Sequence, residues 1–220
     1  MSIIRVKSIK GLKDFANQSN QLVILERTAP LESSVFFKKL MGITFVVIGE
    51  VFKKTALSDI RGILDDVISR KIQNDKFYEI WLKDMAHACK TFCDIENSTY
   101  ISIWIGTKRG CDRYHIDNVP QRMLVTYAGQ GTEWLPNEFA DRTAFKNGEP
   151  NKNIIKDNLA KKYISDWDMA LFKGGEKGLL HRTPDTALNN PSILMRLDHA
   201  NFWINVHKQL AVNRVERVKN

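Results

Sequence analysis

Near Thr99 the hydrophobic pattern of this 220-residue chain changes period, and that change limits the fold more than any other feature. Upstream, Leu57, Ile60, Ile63, Leu64, Val67 and Ile68 recur at helical spacing across residues 55–69. Phe77, Ile80, Trp81, Met85, Ala88 and Phe92 do the same across residues 76–91. Each set forms one apolar stripe, so the spacing predicts two helices with a single core face, packed on the outside of a sheet. From residue 99 to residue 198 apolar residues alternate or fall in short runs, which is the pattern of strands. Strands are predicted over residues 100–105, 114–119, 122–127, 168–172 and 192–197, with earlier ones over 22–26 and 43–48. A further helix over 31–41 follows Pro30, and the tail 201–220 fits either a strand or an amphipathic helix.

The fold class expected from this order is α+β: a jelly-roll barrel of the cupin-like, double-stranded β-helix kind, with the N-terminal helices packed on it. One domain over 1–220 is expected, 1–98 forming a mixed α/β portion and 99–200 the jelly-roll core that carries the candidate site at its mouth. Residues 137–162, rich in Asn and Lys, read as an insertion with one helix over 154–163 and as the segment best suited to be a lid.

The net charge is +8, but its lysines and arginines lie in separated groups without interleaved aromatics, so a solvated surface fits better than a nucleic-acid platform. An interaction module using that positive surface is a weaker reading. The longest apolar run, residues 43–48, falls far short of the roughly 20 residues of a membrane helix. The charged start of the chain lacks the apolar core of a signal peptide, and three sparse cysteines fit a reducing compartment, so the expected location is cytoplasmic. Cys89 and Cys93 share a helix face with the apolar stripe and are expected to be packed thiols rather than zinc ligands with His87 and Cys111.

The chemistry-bearing motif is Arg113-Tyr-His-Ile-Asp-Asn-Val-Pro120. In extended backbone His115 and Asp117 point to the same side. A lone acid there is costly unless a cation compensates it. His181, in Leu179-Leu-His-Arg-Thr-Pro184, supplies a second imidazole, and two imidazoles with one carboxylate hold a first-row metal on one face and leave the other open. The competing account has Asp117 paired with Arg113, Arg122 or Arg182 and both histidines structural. His199 and His207 lack a partner motif. No G-x-S-x-G elbow and no phosphate-cradling glycine loop is present, which disfavours hydrolase and nucleotide-enzyme readings.

Two resemblances follow from these residues. Tyr114-His-Ile-Asp-Asn-Val-Pro120, Arg122 to Pro136 with its Gly-Thr-Glu-Trp-Leu string, and Leu179 to Pro184 resemble a bacterial family known as a domain of unknown function, over most of the chain. More distantly, the order of His-x-Asp strand, aliphatic strand, glycine-containing turn, Asp-led strand and distal His-Arg is similar to the iron(II) and 2-oxoglutarate-dependent oxygenases. That similarity implies iron(II) at His115, Asp117 and His181, with 2-oxoglutarate as cosubstrate and an unidentified small-molecule or protein substrate. In those oxygenases a cationic residue beyond the distal histidine grips the cosubstrate carboxylate; the corresponding positions here are Pro191 and Ser192. Arg196 is the first substitute, with Arg122 and Arg182 as further ones. A non-catalytic zinc-binding protein is the alternative, since affinity order favours zinc at such ligands. Trp134 is expected to line the cavity mouth.

Overall fold

A computed structural model describes residues 3–206, apart from the side chains of residues 16 and 17. Ten strands are described: β1 (Ile3–Val6), β2 (Leu22–Leu25), β3 (Val46–Phe52), β4 (Tyr100–Gly106), β5 (Gln121–Ala128), β6 (Glu133–Trp134), β7 (Lys162–Tyr163), β8 (Met169–Lys173), β9 (His181–Arg182) and β10 (Ile193–Asp198). Seven form one large sheet in the order β1-β2-β8-β5-β10-β4-β3, and three form a small sheet in the order β7-β6-β9. Only the β1–β2 pair of the large sheet is parallel. A backbone bridge between His115 and His181 adds a fourth position beside β9. From β4 onward the chain alternates between the sheets: β4 large, His115 small, β5 large, β6 and β7 small, β8 large, β9 small, β10 large.

Alternation along the large-sheet strands sorts side chains onto two faces. Ile101, Ile103, Ile105, Met123, Val125, Tyr127, Met169, Leu171, Ile193, Met195 and Leu197 pack into one buried core with the helices. Leu22, Ile24, Leu124, Ala170, Phe172 and Leu194 point the other way and pack with Trp134, Ile164 and Leu179 between the sheets. At roughly 1.5–3 kcal/mol for each fully buried large apolar side chain, the helix-side core dominates the stability.

The principal helix on that side is Lys76–Ile95. Asp75 caps its N-terminus by accepting from the Phe77 backbone N–H at 2.9 Å. It stops because Asn97 takes a positive φ of 48° and Ser98 N–H bonds back to the Cys93 carbonyl at 2.9 Å, a Schellman closure. Helices Ser33–Leu40 and Ala56–Asp65 flank it, so the helices expected over 31–41, 55–69 and 76–91 all occur, with shifted ends. Cys89 and Cys93 are buried in this core, and burial pushes the Cys93 thiol up to about 11. Among the described residues no helix is long and apolar enough to cross a membrane.

Two expectations fail locally. Residues 114–119 are not a continuous strand, because the Asp117 and Pro120 carbonyls accept from the Gly175 and Gly174 N–H groups instead of from a neighbouring strand. The insertion forms helices Arg142–Lys146 and Asn151–Ile154 rather than a helix over 154–163, since the Asp157 side chain accepts from Leu159 N–H and starts a separate turn. Nor does the insertion cover the cavity. Its Ala140, Ala144, Ile154 and Ala160 pack with Tyr114, Leu135 and Leu180 on the outer face of the small sheet. Residues 202–206 are helical, and residues 207–220, His207 included, lie outside the described residues.

Candidate metal-binding site and its cavity

His115 and Asp117 stand two apart on extended backbone, and His181 begins β9 directly opposite His115. The His115 N–H donates to the His181 carbonyl at 3.0 Å and the reverse bond is 3.1 Å. This exchange brings the imidazoles to a centroid separation of 4.5 Å. One ligand atom from each of His115, Asp117 and His181 lies within 4.8 Å of the others. Asp117 and His181 are buried and His115 is half-buried.

The surroundings decide which atoms face the shared point. His115 Nδ1 lies 3.0 Å from the Arg113 carbonyl, and His181 Nδ1 lies 3.0 Å from the Leu179 carbonyl. A carbonyl only accepts, so each Nδ1 carries a hydrogen, and in the neutral ring each Nε2 then offers a lone pair, the arrangement seen at imidazole metal ligands. Asp117 Oδ1 accepts from Arg122, whereas Asp117 Oδ2, 3.4 Å from His181 Nε2, has no hydrogen-bond donor. Burial alone would raise the Asp117 carboxyl, but His181, Arg122 and His115 hold it well below the usual carboxylate range. Burial and the neighbouring His181 lower His115, which favours its neutral form. Two imidazoles, one ionised carboxylate and one buried unbonded oxygen are a donor set that suits a divalent cation. The pairing of Asp117 with Arg122 expected of a purely structural histidine pair is also present, and it engages only one carboxylate oxygen.

A cavity of about 110 Å³ opens beside these residues, lined on its apolar side by Trp104, Leu124 and Leu194. Arg109, Arg122, Arg182 and Arg196 also reach it. Arg196 lies on the face of β10 away from the helices, with Leu194. Its Nε donates to Asp198 Oδ2 at 2.8 Å, and its guanidinium lies 4.7 Å from the Trp203 ring. Arg122 Nε donates to the other Asp198 oxygen at 2.7 Å, so the two arginines share one buried acid. Arg182 turns outward to Glu133, at 2.8 Å from its Nε, and to Asp185, at 2.7 Å from Nη1. Two carboxylates therefore occupy its fork.

Two features escape a reading of the sequence. Glu133 of the Gly-Thr-Glu-Trp-Leu string pairs with Arg182 of the His-Arg-Thr-Pro string and accepts from the Tyr114 hydroxyl, so all three quoted segments meet in one buried network. Arg109, which follows β4 in a stretch with no apolar pattern, borders the cavity. Trp134 is buried between the sheets beside Leu124 and Phe172, deeper than the mouth where it was expected; Thr132 of the same segment lines the opening. Asp117 is positioned by the glycine turn as well, since a Cβ on Gly174 would overlap the Asp117 and Val119 carbonyls.

Among solved structures the chain is similar to a candidate oxygenase from Shewanella oneidensis, at 10% identity and TM-score 0.43 over 98% of both chains. It is also similar to the Fe(II)/α-ketoglutarate-dependent dioxygenase TqaL, at 10% identity and TM-score 0.44 over 86% of this chain and 85% of that one. A third is EctD from S. alaskensis with bound Fe, at 15% identity and TM-score 0.40 over 86% and 75%. No curated protein matches the chain significantly. Residues 7–198, which hold every strand from β2 to β10 and all the site residues above, match the family described as "Protein of unknown function (DUF1826)", and the chain belongs to that family.

Proposed function

We propose that this protein is a metal-dependent oxygenase of jelly-roll fold, with iron(II) held by His115, Asp117 and His181 and 2-oxoglutarate as cosubstrate. The observation that carries the reading is the convergence of three ligand atoms within 4.8 Å, with each histidine Nδ1 turned to a backbone carbonyl. The alternation of the chain between two sheets supports the jelly-roll, and the site lies between those sheets, where such barrels hold ligands. Iron(II) held by His115, Asp117 and His181 would supply oxygen activation.

The chain's own residues divide the remaining work. Arg122 holds Asp117 Oδ1, which leaves Oδ2 toward the ion and fixes the carboxylate plane. Arg196 takes the remote carboxylate of the keto acid, because Asp198 is divided between two guanidinium groups and leaves each with unspent donors. Arg182 is spent on Glu133 and Asp185, so we assign it to the scaffold. Trp104, Leu124 and Leu194 keep the cavity wall dry.

Anaerobic purification with metal analysis, followed by calorimetric titration of 2-oxoglutarate, tests the reading. One divalent ion per chain is expected, lost in Asp117→Ala, with 2-oxoglutarate binding lost in Arg196→Ala while the ion is retained. Absence of a stoichiometric ion refutes the metal assignment. A stoichiometric ion without 2-oxoglutarate binding leaves a metal-binding protein, and undiminished binding by Arg196→Ala moves the carboxylate anchor to Arg122.

A further inference from the structure

Arg109 is the cavity's unneutralised cation. Its Nη1 donates to the Gln130 carbonyl at 2.7 Å and its Nη2 to Thr132 Oγ1 at 2.7 Å. Both acceptors are neutral. Its Nε is buried and has no partner. Each of the other three arginines at the cavity has a carboxylate: Arg122 has Asp117 and Asp198, Arg196 shares Asp198, and Arg182 has Glu133 and Asp185. Among the described residues no acid accompanies Arg109, and burial depresses its basicity to about 10 with only a weak opposing effect from Cys111. A guanidinium remains charged near neutrality even so. Arg109 is thus a cavity cation whose hydrogen bonds go only to neutral acceptors.

We propose that Arg109 binds the carboxylate of the substrate, and that the substrate is a compact monocarboxylic acid with an apolar body. One hydrogen on each of Nη1 and Nη2 is uncommitted, and a carboxylate can accept from a guanidinium with charge assistance. The apolar body follows from Trp104, Leu124 and Leu194, and the compactness from the volume of about 110 Å³. Calling this ligand the substrate rests on the oxygenase reading, whereas its binding at Arg109 does not.

The test is calorimetric titration of propionate, benzoate and glutarate, with benzamide as the neutral counterpart of benzoate, into the full chain with and without Zn(II). Benzoate or propionate is expected to bind in both states and benzamide in neither. Arg109→Gln should weaken the carboxylate at least tenfold, about 1.4 kcal/mol, and Arg109→Lys should restore part of the loss. Urea denaturation of the same variants separates this effect from the clamp that Arg109 forms on Gln130 and Thr132, since a structural role lowers stability without sensing ligand charge. The proposal is overturned if no carboxylate binds, if benzamide binds as well as benzoate, or if Arg109→Gln binds undiminished. Failure of Zn(II) to bind while benzoate still depends on Arg109 refutes the metal reading and leaves this site standing.

Discussion

Replacing Glu133 by alanine probes the network that ties the three sequence motifs together. Glu133 is 1% exposed and Arg182 5%, so neither charge is shielded by water. The carboxylate accepts from Arg182 Nε at 2.8 Å, from Arg182 Nη2 at 3.1 Å and from the Tyr114 hydroxyl. Removing one partner of a buried ion pair costs roughly 3–5 kcal/mol; Asp185 remains on Arg182, which places this loss near the lower bound. Leaving the buried Tyr114 hydroxyl without its acceptor adds about 1 kcal/mol or more. The expected total is about 4 kcal/mol, against a typical domain stability of roughly 5–15 kcal/mol. Urea denaturation measures it as a fall in midpoint with little change in slope. The companion experiment is Glu133→Leu with Arg182→Met. An apolar pair leaves no orphaned charge, so the double variant should be more stable than Glu133→Ala. A loss below about 1 kcal/mol for Glu133→Ala, or a double variant that simply sums the two single losses, refutes the claim that this network is a coupled buried unit.

Three further outcomes are expected. Burial raises the Glu96 carboxyl above its ordinary range, so the unfolded chain releases this proton first and stability falls as pH rises through that window; Glu96→Gln should therefore melt higher than the parent at pH 7 and equally at pH 3, and a pH-independent difference rejects this. Cys111 is exposed at the cavity mouth while Cys89 and Cys93 are buried, so a thiol reagent should modify one of the three cysteines rapidly in the native state; rapid modification of two contradicts the packing. Gly174→Ala forces a Cβ onto the Asp117 and Val119 carbonyls and should cost about 1–3 kcal/mol while weakening retention of a divalent ion; unchanged ion retention, followed by metal analysis after dialysis, counts against a positioning role for the turn.

The three longest helices were legible because each carries one apolar stripe, and six of the seven large-sheet strands because one face is apolar; β1 (Ile3–Val6) and the short helices, too brief to show a period, were not. The convergence of His115, Asp117 and His181 followed from a two-residue spacing and one later histidine. An apolar face such as Ile193, Met195 and Leu197 is one that a barrel interior ordinarily takes, which would turn Arg196 away. It packs on the helices instead, because the sheet has two buried faces, and this leaves Arg196 toward the cavity. Period two says which residues share a face but not which face meets the cavity. Glu133 and Arg182 are both conspicuous in the sequence, yet their pairing joins residues far apart in the chain and has no local signature. Arg109 stood among Lys108, Asp112 and Arg113, where a polar turn in solvent is the ordinary expectation; only the fold shows its Nε buried.

The reciprocal backbone bonds between His115 and His181 bear on how a metal and the fold depend on each other. The two imidazoles are carried by a ladder rung, and Asp117 is held by Arg122 and the glycine turn, so protein–protein bonds already order the three donors. Capture of an ion then requires little further loss of chain entropy, unlike metal-nucleated modules in which ligand geometry and folding arise together. Chelation should strip the ion from a molecule that keeps its circular dichroism and still unfolds cooperatively, only at a lower temperature by the amount that ligand linkage dictates. Exchange of one divalent ion for another would on the same grounds be reversible without passage through an unfolded chain.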